Sequence, residues 1–253
     1  MDTRTIDLAA LNSATKYPSI LTYHSLGEKG RLTDDRLFDP PANLIVTEKI
    51  DGTNTRLIFM PDGYYLIGSR EHLLYARGDL IGNPALDIVE SIKPMMESLN
   101  ALVDRSNGHV HVAFLETYGG KTTSAAHNYT SNRAIGHRLF DICTVPPAQL
   151  SADLEQISSW REHGGQNFYA ESELSAIADT LSVKLTERLP AQALPESHAD
   201  TLAWLEVILP RTKASLDDAA AGLPEGVVVR TPDRSKIAKI RFEDYRRTLK
   251  SKR

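Results

Sequence analysis

Apolar residues along the chain fall into two rhythms, and the rhythm changes several times. Between Leu44 and Gly68 they come in short runs, Leu44–Ile50, Thr55–Met60 and Tyr64–Gly68, which predict a meander of strands. Pro61-Asp62-Gly63 supplies the turn between the last two. From 85 to 103 the spacing is helical, with Leu86, Val89, Ile92, Met95, Met96, Leu99, Leu102 and Val103 forming one stripe. Asp87 or Asn83-Pro84 is expected to start this helix and Pro94 to kink or split it. His109–Leu115 alternates again: Val110, Val112, Phe114 and Glu116 share one face, and His111, Ala113 and Leu115 the other. Arg138–Ile142 predicts a short strand ended by Pro146-Pro147.

Helices are predicted over 151–163, with Ser151 as N-cap and Gly164-Gly165 as the stop, over 171–182, over 199–209 and over 212–221. The stretch from 148 to 222 carries no chemical motif and is expected to form a helical layer beside the sheet. Two strands follow, 224–230 and 236–241. In the second, Ile237, Lys239 and Arg241 share a face. From Phe242 onward a basic terminal helix is expected. Residues 1–42 show no clear period, carry turn signals at Tyr17-Pro18 and Gly27–Gly30, and are expected to be an irregular surface layer.

Composition narrows the class. The chain has 253 residues, with 41% hydrophobic and 25% charged positions, ordinary values for a globular protein. No run approaches the roughly 20 apolar residues of a membrane helix. The charged N-terminus, Met1 to Asp7, lacks the apolar centre of a signal peptide. The single cysteine, Cys143, can form no intrachain disulfide and suits a reducing compartment, so a cytoplasmic location is expected. A net charge of -4 argues against a protein that coats nucleic acid, while leaving room for a local basic groove.

The chemistry concentrates in Glu48-Lys49-Ile50-Asp51-Gly52-Thr53-Asn54. A lysine between two apolar strands is poorly placed to be idle. A nucleophilic lysine needs such a setting, since only the neutral amine attacks. Gly52 allows a sharp turn and close approach to a ligand. Arg70, at the end of a strand, suits a phosphate or ribose contact, with an ordinary surface pair to Glu71 as the plainer alternative. Glu116 ends an alternating strand on the side of two apolar residues, where a carboxylate needs a partner or a task. His109 and His111 lack an evident third metal ligand and are expected to be ordinary strand histidines.

Lys49-x-Asp51-Gly52, then Arg70, Glu116, Phe140-Asp141, Glu225-Gly226 and Lys239-x-Arg241 follow one another in an order that resembles the motifs of the covalent nucleotidyltransferases: DNA ligases, RNA ligases and mRNA capping enzymes. Gly52-Thr53-Asn54, in place of Gly-x-Arg, is similar to the RNA ligase 2 group, as is Lys16-Tyr17-Pro18-Ser19-Ile20. The resemblance covers essentially the whole chain and is weakest from about 148 to 215. It implies an α+β fold, with antiparallel sheets forming an ATP cleft and helices packed outside.

It also implies roles. Lys49 would be the adenylylated nucleophile and Glu48 would lie at the adenine edge. Asn54 and Arg70 would meet the ribose, the nucleotide phosphate or an RNA 5′-phosphate. Glu116 would accept from a ribose hydroxyl, Phe140 would stack on the purine, and Glu225 would bind a divalent metal, Mg²⁺ or Mn²⁺. Lys239 and Arg241 would hold the α-phosphate and favour the neutral amine of Lys49. The implied substrates are ATP and RNA with 5′-phosphate and 3′-hydroxyl ends, and the implied setting is RNA repair.

Two departures stand out. The second cation of the last motif is usually Lys and here is Arg241. The sequence also stops soon after it, so residues 1–253 are expected to form one domain without an appended C-terminal one, with a partner protein or the basic tail supplying the missing grip. Two readings compete: a nucleotidyltransferase acting on another acceptor, such as a DNA nick, and an RNA-end-binding module with a relic pocket.

Overall fold

The structure is a computed structural model that describes residues 5–41, 43–82, 87–190 and 193–250. Its strands are β1 (His24–Leu26), β2 (Leu32–Arg36), β3 (Ile45–Lys49), β4 (Thr53–Phe59), β5 (Tyr65–Ser69), β6 (Leu73–Ala76), β7 (Asp79–Leu80), β8 (Val110–Gly119), β9 (Ile135–Val145), β10 (Asn167–Phe168), β11 (Arg188–Leu189), β12 (Gly226–Arg230) and β13 (Ile237–Arg241). The α-helices are α1 (Leu8–Ala14), α2 (Ile88–Leu102), α3 (Leu154–Glu162), α4 (Glu171–Leu181), α5 (His198–Ile208) and α6 (Phe242–Lys250).

A large sheet runs β10-β9-β8-β4-β5-β6-β7, and a smaller one β11-β3-β12-β13. Their ladders are antiparallel throughout. This is the α+β architecture expected from the sequence.

Both faces of the large sheet are covered, which is why its strands read as nearly unbroken apolar runs. On one face Leu57, Ile67, Ala113 and Leu115 pack with Ile92 and Met96 of α2 and Leu174 of α4. On the other, Ile58, Val112, Phe114 and Cys143 pack with Leu11 of α1 and Ile157 of α3. The alternation along β8 thus sorts its residues between two cores as its period requires. The small sheet has one covered face, where Val46, Val227, Val229, Ala238 and Ile240 meet Trp204 and Leu205 of α5 and Tyr245 of α6.

Several expectations need correction. The opening segment, described from 5 to 41, is not a surface layer: Leu11, Tyr23 and Leu32 are core residues, and Tyr23 N donates to Lys239 O at 3.0 Å, laying this segment along β13. Pro94 does not split α2, which runs unbroken from Ile88 to Leu102; it lies on the exposed side, where water can reach the carbonyl its ring leaves unpaired. Asp87 precedes α2 without a side-chain capping bond, and Asn83, Pro84 and Leu86 lie outside the described residues. The N-cap of α3 is Asp153, accepting from Gln156 N at 2.8 Å, because Pro147–Ser151 forms a separate 3₁₀ turn. Residues 212–221 are not a helix; the backbone and side chains there bond to neighbouring segments instead. The terminal helix exists as expected, but Phe242, Asp244, Tyr245 and Thr248 are buried, so it is more than a solvated tail.

Candidate functional site

The chain passes from the small sheet to the large one through Ile50–Gly52, and the cleft lies at that crossing. A cavity of about 480 Å³ is lined from both sides. Glu48, Lys49, Glu225, Lys239 and Arg241 come from the small sheet and its flanks; Asn54, Arg70, Glu116 and Phe140 come from the large sheet and its flank. Every residue to which the resemblance gave a role at the site therefore lines this one cavity.

The crossing is fixed by four bonds. Asp51 N donates to Tyr129 Oη at 2.7 Å, and Gly52 N to Glu116 Oε1 at 3.1 Å. Thr123 Oγ1 donates to Asp51 O at 3.2 Å, and Thr53 Oγ1 to Thr122 O at 3.1 Å. A Cβ on Gly52 would stand 2.5 Å from Thr117 O, so glycine is needed there for close approach to β8.

Register places the cations. Lys49 pairs across the small sheet with Gly226, and Gly226 with Arg241; two residues along, Thr47, Val228 and Lys239 form the next row on the same face. Along β13, Ala238 and Ile240 are buried in the core, while Ile237, Lys239 and Arg241 line the cavity, as the sequence alternation predicts.

Lys49 Nζ donates to Glu225 Oε2 at 2.7 Å. Burial, with the Glu225 charge nearby, pushes the Glu116 carboxyl up to about 8, against the pull of Lys49. Burial likewise raises the Glu225 carboxyl, again opposed by Lys49. Burial and the charges of Arg241, Lys49 and Arg70 pull the Lys239 ammonium below the ordinary lysine range. Its side chain makes no ion pair or hydrogen bond among the described residues. Lys239, a cation among cations with no ion-pair partner of its own, favours an anionic ligand, and Glu116 beside Glu225 favours a cation.

Among the described residues no group of three His, Cys, Asp or Glu side chains is arranged to hold a metal. Mg²⁺ is ordinarily held through one or two carboxylates together with substrate phosphates, and the crowded pair Glu116 and Glu225 fits that manner of binding.

The large-sheet wall adds polar and aromatic groups. Asn54 stands opposite Glu116 across the β4–β8 ladder, and its buried Oδ1 has no hydrogen-bond partner among the described residues. Arg70 is an exposed residue at the cavity rim, 3.6 Å from Glu71. Phe140 owes its placement to a bulge: Phe114 pairs with Asp141 and Leu115 with Leu139, leaving Phe140 as the extra residue. Tyr17 meets its ring edge-on at 5.1 Å.

Glu48 behaves differently from its neighbours. The residue is 1% exposed, and its carboxylate accepts from Thr212 Oγ1 and, at 2.8 Å, from Lys213 N. Burial still pushes this carboxyl up. Both oxygens are thus engaged inside the protein, as is the backbone N, which donates to Glu187 O at 3.0 Å. His111 is remote from the cleft, its ring between Asn107 Oδ1 at 3.3 Å and Tyr169 Oη at 3.3 Å.

Sequence reasoning missed Thr212 and Lys213, and Tyr129, whose hydroxyl holds Asp51. It also missed a buried network beneath Phe140. There Asp141 accepts from Tyr17 Oη at 2.8 Å, from Arg230 at 3.3 Å and from Arg234, while Arg230 also bonds to Glu171. The only sequence signal for Asp141 was its place beside Phe140.

A family model described as RNA ligase matches residues 42–252. A comparison with curated protein sequences gave no match. Among solved structures, a Naegleria gruberi RNA ligase with PPi is similar, with a TM-score of 0.57 at 13% identity, over 94% of this chain and 59% of that one. A variant of that ligase with ATP and Mn gives a TM-score of 0.53 at 15% identity, over 83% of this chain and 52% of that one. An archaeal ATP-dependent RNA ligase gives 0.53 at 14% identity, over 91% of this chain and 49% of that one. The chain thus spans between 49% and 59% of the length of these proteins, and at such identities the likeness is one of fold.

Proposed function

The chain belongs to the RNA ligase family, and from that premise we propose that it is an ATP-dependent ligase that carries AMP on Lys49 and uses it to seal RNA. The observation that carries this reading is the convergence of Lys49, Glu116, Glu225, Lys239 and Arg241, from well-separated parts of the sequence, on one cleft.

In the first step Lys49 Nζ, having left Glu225 and lost its proton, attacks the α-phosphorus of ATP. A P–N bond forms and the P–O bond to pyrophosphate breaks. Glu225, already 2.7 Å from the amine, is the carboxylate in place to take the proton. Lys239 and Arg241 neutralise charge gathering on the α-phosphate oxygens. A divalent cation, Mg²⁺ or Mn²⁺, would be held by Glu225 and would neutralise charge on the phosphates and the leaving group.

Phe140 offers a ring face to the purine, and the unpartnered Asn54 Oδ1 accepts from the ribose or an ordered water. Glu116, raised to about 8, is largely protonated near neutral pH in the empty cleft and can bond a ribose hydroxyl as donor or acceptor. In the second step an RNA 5′-phosphate oxygen displaces the lysine: the P–N bond breaks and a phosphoanhydride forms. In the third, an RNA 3′-hydroxyl attacks the 5′-phosphate and releases AMP. Arg70, exposed at the rim, is placed to meet that 5′-phosphate.

Intact-mass measurement after incubation with ATP and Mg²⁺ tests the first step. A gain of one AMP in the wild type, absent from Lys49→Ala, is expected. Sealing of a nicked RNA duplex by the adenylylated protein then tests the last two. A folded wild type without an adduct would overturn the reading.

A further inference from the structure

Arg241 ends β13, and its guanidinium is held from behind. Its Nε donates to Asp244 Oδ2 at 2.8 Å and its Nη2 to Asp244 Oδ1 at 2.9 Å. Asp244 is 0% exposed and lies in the first turn of α6. The next residue, Tyr245, is a core residue whose hydroxyl bonds His24 Nδ1 at 2.7 Å. The carboxylate is therefore a fixed post, set by a helix packed on the small sheet. It also accepts from Arg247 Nη2 at 2.7 Å, while Arg247 Nε bonds Gly30 O at 3.0 Å. Arg247 Nη1 also donates to Glu243 Oε1 at 2.9 Å, so the two arginines and the two carboxylates form one linked charge network around Asp244. Nη1 is the one nitrogen of Arg241 without a hydrogen bond among the described residues, and Arg241 lines the cleft.

The structure assigns Asp244 as a positioning residue for nucleotidyl transfer. It spends one edge of the Arg241 guanidinium inside the protein and leaves the other for the phosphate. This assignment rests on the proposed ligase reading. It also gives arginine at this position a task that lysine could not perform. A planar fork can satisfy a buried carboxylate and an external anion at once through different edges. A lysine ammonium is a point charge on a flexible stem, and beside Asp244 it would be drawn to the carboxylate and away from the cleft. Asp244 and Arg241 therefore form a unit, and Arg241→Lys is not a conservative change here.

The test is the rate of AMP–protein formation in single-turnover conditions, across ATP concentrations, for wild type, R241K, R241A, D244N and R241K/D244N, with melting curves for each. Misplacing a phosphate-binding group is expected to slow the covalent step by ~10–100-fold in D244N, with a smaller change in half-saturating ATP. R241K is expected to fall within ~3-fold of R241A, and the double variant within ~3-fold of R241K, because each change breaks the same unit. A structural role alone would make the two effects multiply. R241K retaining near wild-type rate would overturn the assignment even if D244N failed to fold, as would full additivity. An adduct absent from wild type would instead overturn the ligase reading, and the assignment with it.

Discussion

Lys49 Nζ and Glu225 Oε2 are 2.7 Å apart, so the proposed nucleophile rests against the proposed metal ligand. The same carboxylate cannot hold the ammonium and a divalent ion equally well. Occupancy of the cleft and release of Lys49 are coupled through one side chain. Glu225→Gln keeps the shape, removes the charge and leaves no strong proton acceptor. AMP–protein formation is expected to fall by ~10²–10³-fold. Quench-flow with labelled ATP measures it, and a rate within a few-fold of wild type would remove Glu225 from the chemistry.

The pH dependence of stability follows from Glu116. Its carboxyl is raised from 4.5 to about 8 in the folded protein, so between these values the folded state binds the extra proton. The stability this contributes is full below 4.5 and is lost as the pH rises through about 8. The ligand-free protein is therefore expected to lose on the order of 4 kcal/mol from this group between about pH 5 and about pH 9. Glu116→Gln, which cannot ionise, should flatten that slope in urea titrations. Parallel slopes for the two proteins would show that Glu116 does not carry the loss.

Phe140→Ala removes the aromatic face from the cleft. Stacking of a base on an aromatic side chain contributes about 1–3 kcal/mol. Half-saturating ATP for adduct formation should rise ~5–150-fold, with a smaller change in the maximal rate. An unchanged ATP dependence would place the purine elsewhere.

Thr212→Val deletes the hydroxyl that donates to the buried Glu48 carboxylate. A buried carboxylate short of one donor is expected to cost about 1–3 kcal/mol, read from the denaturation midpoint. An unchanged midpoint would mean that Lys213 N alone suffices to hold Glu48.

The cleft was legible where the chemistry lies on simple strands. Lys239 and Arg241 share a face because β13 keeps strict period two, and Lys49 ends a strand whose apolar run is plain in the sequence. Phe140 was legible as a motif position but not as a direction, since a bulge set by its pairing partners decides where it points. The stretch around Thr212 and Lys213 was misread because its small and apolar residues suit a helix. The tertiary demand of Glu48 for donors is not visible from local pattern. Asp153 displaced Ser151 as a cap because two prolines had already committed 147–151 to a turn of its own. The opening segment failed for a similar reason: α1 is only one short helix, and what fixes it is Arg56, a fully buried side chain of β4 that donates to Asn12 O at 2.9 Å and Thr15 Oγ1 at 2.9 Å.

The passage through Ile50–Gly52 has a mechanical meaning. Lys49 belongs to one sheet and its core, and Phe140 to another. A nucleotide bonded to the first and stacked on the second would act as a removable cross-link between two separately packed halves. Charging the protein with AMP would then stiffen it, and discharging AMP onto RNA would loosen it, so each round of catalysis would be written into the rigidity of the whole molecule.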